Sequence, residues 1–572
     1  MGTKLRKYGY LVIAMLLGMA VFIGIYGLEP LRITGINWMI YGFYGKDITS
    51  HQSGWMFYRA SPWTFPLCKA LFLGYPEGTV ISYTDSIPIA ALFFKLLSPL
   101  LPETFQFFGL YTCFCFMMQG LFAAALLRLL TGDKLFSVIG SVIFLSASCF
   151  VERCIRHTAL SSHWLLLAAL LLYFHQRRDR SGGKYSVLWC LLLCLALGIH
   201  PYLFAMVFSV FALSEAECFF IGRDKVKTVL VSVICTAGAL LFGYILGLFG
   251  TKVSPETGFG EFSLNLNTLV NPYSKNHELW SAVLKPLPRA DGQGDGMCYL
   301  GLPMLVLTAA AILFSLKNYR GIRNSLLRNA GLLILCAGLT LFAISNRVTL
   351  GDRVILRYPL PGLLFRLCNI FRSSDRFFFI PYYCIILFSL TRLRRMSGRK
   401  RSWLTLCVCA AAAVLQILEI GPGLKELHAF FETRYEPVYL SGEWSRIAEN
   451  YDTARTVDRI KDRNLSFWLG ENGFRTDLMV TAPVHLNAYW DRTETERTRL
   501  RQALEDGTED LDPRSVYIIS AVTGRNRTFE TDEDLAAYIG KLQKAWQDKA
   551  DLLYLNNEIN YYWILCPDQQ TP

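Results

Sequence analysis

Charge is what this sequence has least of. Asp, Glu, Lys and Arg make up 18% of its 572 residues, against about 25% in a soluble globular chain. Hydrophobic residues account for 53%, the mean hydropathy is +0.32, and the apolar residues fall in long runs. The missing charge therefore reflects surface that faces lipid and not a larger core. C-x-x-C pairs are also absent although the chain has 16 cysteines, which argues against a zinc ribbon or a dithiol redox centre. Most of these cysteines, Cys113, Cys149, Cys235 and Cys409 among them, sit inside apolar runs, where they act as small hydrophobes. There is no P-loop, no dinucleotide fingerprint and no G-x-S-x-G, and no D-x-D stands in the first polar loop. The net charge of +12 does not indicate a nucleic-acid partner, because the basic residues cluster in short loops between apolar segments. That pattern orients membrane proteins.

A helix needs about 20 apolar residues to cross the hydrocarbon core. Eleven runs approach that length, near 8–28, 104–129, 135–150, 158–175, 185–200, 202–221, 227–249, 299–317, 328–346, 377–392 and 402–420. The run at 8–28 is longer than a signal-peptide core and lacks a clear A-x-A site, so an uncleaved first span is expected. A further stretch, 86–101, holds Pro88, Lys95 and Pro99 and reads either as a short span or as a helix lying on the membrane. The positive-inside rule decides between them. With 86–101 on the surface and the N-terminus in the cytoplasm, nearly every basic cluster falls inside, including Arg177–Lys184, Lys317–Arg328 and Arg392–Arg401. If 86–101 crosses, every cluster after the first moves outside. Eleven spans from an inside start then leave the first loop (29–103) and the C-terminal segment on the outer face.

The expected architecture is an α-helical polytopic membrane domain over 1–420, with about eleven spans and interfacial helices in its first outer loop. A small extracytoplasmic α/β domain over 421–572 follows. In the tail, helical patterns stand at 493–505 and 532–550, and strand-like runs at 515–520 and 561–566.

Candidate chemistry lies on the outer side. Asp47 and His51 are four residues apart, so a helix puts them on one face. Trp55, Phe57, Tyr58 and Trp63 suit a helix at the headgroup level. A carboxylate held there has the reach to deprotonate an acceptor hydroxyl beside a lipid-linked donor; the plainer account of Asp47 is an N-cap. Asp85, in Tyr83-Thr84-Asp85-Ser86, is a second carboxylate, or a cap for the helix after it. The turn ERCIRHTALSSHW gathers Glu152, Arg153, Arg156, His157 and His163 at the membrane edge. Charges there need solvent or partners, and arginines suit a phosphate, headgroup snorkelling being the alternative. In FRLCNIFRSSDRFFF, Arg372 and Arg376 flank hydroxyls like an anion cradle. The loop ADGQGDGMCYLG partly imitates a calcium loop through Asp291, Gln293 and Asp295, but Leu302 stands where the acidic twelfth position belongs. No cofactor is indicated; a divalent cation is compatible with the pattern without being called for, and His-x5-His is a poor metal-ligand spacing.

The long first outer loop with its early Asp47, the interfacial helices and the basic/His turn resemble the GT-C superfamily of membrane glycosyltransferases, such as the protein O-mannosyltransferases. More narrowly, YTDSIP, RHTALSSHW and FRSSDRFFF look like a bacterial family of GT-C-like proteins without an assigned activity. The likeness covers most of 1–420. It implies an inverting transfer of a sugar from a polyprenyl-phosphate donor to an envelope glycan, lipid or protein acceptor at the bacterial plasma membrane. Asp47 would be the base with Asp85 in reserve, since Ile48 stands where better-known members carry a second acidic residue. Arg153, Arg156, Arg372 and Arg376 would hold the donor phosphate, and His51, His157 and His163 would line the acceptor site. Two other readings stand beside this one: a transporter or flippase of a lipid-linked glycan, and an assembly protein acting through its tail.

Overall fold

The computed structural model describes residues 2–40, 47–179, 184–222, 224–249, 258–273, 280–293, 296–317, 319–396, 402–432, 442–479, 487–525, 527–557 and 560–568. The chain forms two compact units. The first comprises Met1–Ile33, Phe107–Phe242 and Pro255–Thr433; the second comprises Thr34–Gln106, Gly243–Ser254 and Arg434–Pro572. The first outer loop, expected with the helical domain, thus belongs with the tail.

The first unit is built from apolar helices, and the chain is a helical membrane protein. Among the described residues, six helices are long and apolar enough to cross a bilayer: Lys7–Tyr26, Phe108–Thr131, Thr158–Asp179, Pro201–Ile221, Lys225–Leu246 and Ser374–Met396. Two bent pairs raise the number to eight if each is one span. They are Lys134–Leu145 with Ser148–Cys154 and Trp403–Glu419 with Gly421–Phe431, each bent by 57°. Ser186–Ile199, Leu302–Lys317 and Ala330–Ile344 are apolar but shorter. All eleven expected runs are helical, but six to eight of them meet the length and composition of a span.

Small residues let the first two long helices touch backbone to backbone. A Cβ on Gly18 would lie 2.3 Å from the Phe116 carbonyl oxygen, and one on Gly120 would lie 2.4 Å from that of Ala14, the close approach typical of helices packing in lipid. Asp133 caps the helix Lys134–Leu145 by accepting from the Phe136 N–H at 3.1 Å. Its other carboxylate oxygen takes Arg394 at 3.1 Å, so one residue starts a helix and ties down the end of another.

In the second unit, the sheet holds strands β1 (Thr453–Thr456), β2 (Arg475–Thr476), β3 (Ser515–Ser520), β4 (Ala550–Asn556) and β5 (Tyr561–Pro567), in the order β2-β1-β3-β5-β4. β2, β1 and β3 are parallel, while β5 runs antiparallel to β3 and β4. The alternating apolar residues of β3 and β5 make one face of a core with Leu504, Leu542 and Trp546. The helix Asp532–Trp546 opens on a capping box between Thr531 and Asp534. The first loop extends the sheet beyond β2: Thr476 N donates to Phe72 O, and Tyr75 N to Thr476 O, both at 2.9 Å.

The stretch 86–101 contains one α-helix, Pro88–Leu96, and a short 3-10 helix, Ser98–Leu100. Nine residues rise about 14 Å, too little to cross. Phe93, Leu96 and Leu100 are exposed, while Lys95 turns inward. The helix Asp47–Ala60 departs from expectation. Trp55, Phe57 and Tyr58 are at most 1% exposed, so they form core and not a headgroup belt. Their cover comes partly from the tail: Gly470, on the helix Arg463–Glu471, faces Phe57 and Met56.

Candidate functional site

In the second unit, the helix Asp47–Ala60 and the turn 83–88 are locked together. After a short 3-10 helix at Ile81–Thr84, Asp85 takes φ 54° and ψ 30°, and Ile87 takes φ 52° and ψ 75°. The left-handed region costs an ordinary residue about 1–2 kcal/mol, and a β-branched Ile is among the least suited to it. The strain is held by hydrogen bonds. Ser86 Oγ donates to the His51 carbonyl at 2.7 Å, Thr84 Oγ1 and Ser86 Oγ are 2.7 Å apart, and Ser86 N reaches Ile81 O at 3.2 Å. The turn lies on Gly54 so closely that no side chain fits between them.

The consequence is a carboxylate beside an imidazole. His51 is 2% exposed and Asp85 is half-buried, and a ring nitrogen of one lies within 4.8 Å of a carboxylate oxygen of the other. Such a pair suits general acid–base work, and the two groups are also of the kinds that hold a divalent cation. Asp47 is differently placed. Its carboxylate pairs with Arg463 at 3.0 Å, both side chains about a third exposed. The structure therefore brings Asp85 to His51 and commits the charge of Asp47 to the tail. The Arg463 partner carried no sequence signal, being some four hundred residues away.

In the first unit, Glu152 and Arg153 are fully buried and paired at 3.0 Å. The N–H of His157 donates to the Arg153 carbonyl at 2.9 Å and ends that helix. The side chain of Arg156 lies outside the described residues. His163 Nδ1 is 2.7 Å from the Tyr383 hydroxyl, which also accepts from Gln119 at 3.0 Å; this buried hydroxyl was not singled out in the sequence.

Arg372 and Arg376 rest on different aromatic rings. The Arg372 guanidinium lies over Phe262 at 5.2 Å and that of Arg376 over Tyr202 at 4.8 Å. Between them, Ser374 Oγ donates to Ala343 O at 3.1 Å, Ser373 N donates to the Tyr202 hydroxyl at 3.0 Å, and Asp375 accepts from Gly296 N. The hydroxyl of Ser374 thus serves packing. In the loop that partly imitates a calcium site, Gln293 is spent on Asn265, Ser263 and Thr349, and Asp295 lies outside the described residues.

Residues 15–421 match the model of a family described as a domain of unknown function, DUF6311. The match spans well over half the chain, which belongs to that family. No curated protein matches the sequence.

Proposed function

We propose that this DUF6311 protein is a membrane glycosyltransferase of the GT-C type, acting at the outer face of the bacterial plasma membrane with Asp85 as its general base. The donor is a polyprenyl-phosphate sugar, and the acceptor is an envelope glycan, lipid or protein. The observation that carries this reading is the strained turn that sets Asp85 beside His51. Strain of this kind persists only where surrounding contacts over-determine it, and it concentrates at functional sites.

In the reaction, Asp85 takes the proton of the acceptor hydroxyl while that oxygen bonds to the anomeric carbon. The bond from that carbon to the phosphate oxygen breaks, and polyprenyl phosphate leaves. One displacement inverts the anomeric centre. His51 orients the carboxylate and lines the acceptor side.

The accompanying topology has eleven spans with the N-terminus inside. The three shorter apolar helices, of 14 to 16 residues, rise about 21–24 Å and cross in a locally thinned bilayer or with their flanking residues.

The test compares Asp85→Asn, Asp47→Asn and His51→Gln in membranes supplied with lipid-linked sugars. Loss of a general base lowers transfer by about 10²–10⁴, and that loss is expected for Asp85→Asn. Asp47→Asn removes a surface ion pair worth about 1 kcal/mol or less and leaves transfer close to wild type. A folded Asp85→Asn protein that transfers at the wild-type rate removes Asp85 as the base. Glycan flipping without transfer from any donor overturns the enzyme reading in favour of a flippase.

A further inference from the structure

The helices that begin near His163 and Arg376 end, about 24 Å further along, in a cavity of the first unit. Its volume is about 970 Å³. Five arginines line it: Arg177 and Arg178 from the helix Trp164–Asp179, Arg328 from Tyr319–Arg328, and Arg392 and Arg395 from Phe379–Met396. The one lining carboxylate, Glu217, is met by Arg177 at 3.5 Å. Among the described residues, no carboxylate lies within ion-pair distance of Arg178, Arg328, Arg392 or Arg395.

Basic residues at these loops are expected from membrane orientation and from the helix dipole, which favours cations at C-terminal ends. Neither cause requires three helices to direct their arginines into one cavity. Arg177 and Arg392 are half-buried and Arg178, Arg328 and Arg395 exposed; like charges gathered on one wall repel one another and call for an anion. The remaining wall decides which anion. Leu332, Leu333, Leu387 and Phe388 line the same cavity, so its lining combines guanidinium groups with hydrocarbon.

We propose that this cavity binds a phosphate-bearing lipid, with its headgroup on the arginines and its chain along the leucine wall. The proposal does not depend on the transferase reading. Arginine recognises phosphate through paired, charge-assisted hydrogen bonds, and the volume matches that of pockets taking ligands of drug size or larger.

The experiment titrates the full-length protein in neutral detergent with dihexanoyl phosphatidylglycerol, dihexanoyl phosphatidylcholine and inorganic phosphate, read by calorimetry. Phosphatidylglycerol should saturate a single site, and the Arg392→Gln/Arg395→Gln variant should weaken it by about tenfold or more. Arg178→Gln, a change at an exposed position, provides a second lesion should the double variant fold poorly. Arg323→Gln alters an exposed arginine that does not line the cavity and should change binding by no more than about twofold, the level of general screening effects. Equal binding of phosphatidylcholine, or unchanged affinity in the cavity variants, overturns the site. Inorganic phosphate that competes as well as the lipid overturns the hydrocarbon half of the proposal and makes the ligand a free anion.

Discussion

Gly54→Ala is the smallest change that reaches the proposed base, and its effect follows from three distances. The added methyl would lie 2.0 Å from Thr84 Oγ1, 2.4 Å from Ser86 Oγ and 2.7 Å from Thr84 Cβ. Relaxed non-bonded contacts sit near 3.5–4.0 Å, so the turn must recede by roughly 1 Å or more. Overpacking of this kind costs about 1–3 kcal/mol. The recession also strains the Ser86–His51 and Thr84–Ser86 hydrogen bonds, each worth about 1 kcal/mol. Against this, Ala in a helix interior gains about 0.5–1 kcal/mol over Gly. The net expectation is a loss of about 1–4 kcal/mol.

The functional loss should be larger than the stability loss implies, because a misplacement of about 1 Å at a reacting group costs on the order of a hundredfold in rate. The assay pairs thermal unfolding of the purified protein with sugar transfer at a temperature where both forms are folded. Gly540→Ala, in the helix Asp532–Trp546, is the control, since its methyl would meet nothing within 4 Å and should be neutral or slightly stabilising. A Gly54→Ala protein as stable as wild type, with unimpaired transfer, refutes the argument that this glycine exists to seat the turn.

Two other perturbations test the second unit. Lys95 Nζ donates to Tyr58 O at 2.7 Å and Ser61 O at 2.8 Å, so it satisfies carbonyls at the end of the helix Asp47–Ala60. Lys95→Met keeps the stem and orphans those carbonyls; a loss of about 2 kcal/mol should appear in the thermal midpoint, and an unchanged midpoint contradicts the capping role. Burial raises Asp458 from 3.8 to about 6, although Ser520 N–H, Arg497 and Arg501 oppose the shift. The folded state therefore binds more protons than the unfolded state between those values, and this group's contribution declines as pH rises through that window, by about 3 kcal/mol in all. Asp458→Asn keeps an acceptor for Ser520, so it should remove that decline and stabilise the protein near neutral pH. Identical pH profiles of stability for the two proteins would falsify the assignment.

What was legible in the sequence was local. Apolar runs located the helices of the first unit, short strand-like runs located β3 and β5, and Pro88 with a short apolar run located the helix Pro88–Leu96. Each signal lies within about twenty residues, the range over which periodicity operates. Contacts made across the chain were not legible. The aromatics of the helix Asp47–Ala60 have the composition of a headgroup belt, and packing against distant segments, a tail helix among them, makes Trp55, Phe57 and Tyr58 core. The arginine cavity has the same character. Its members read separately as loop charges, and their convergence depends on three helices ending together.

The two carboxylates of the first loop, both candidates in the sequence, are placed very differently. Asp47 begins a helix and pairs with Arg463, an arrangement stabilised by the helix dipole as well as by the cation. Each of those contacts gives the residue a sufficient reason to be acidic without catalysis. Asp85 has the opposite profile. It occupies a conformation that disfavours it, next to an Ile that is disfavoured still more, in a turn that forbids a side chain at Gly54. Glycine at position 85 or 87 would relieve the backbone strain at once, and Thr84 and Ser86 carry hydrogen bonds of the turn. The proposed role as general base accounts for that strain through what the Asp85 carboxylate does beside His51.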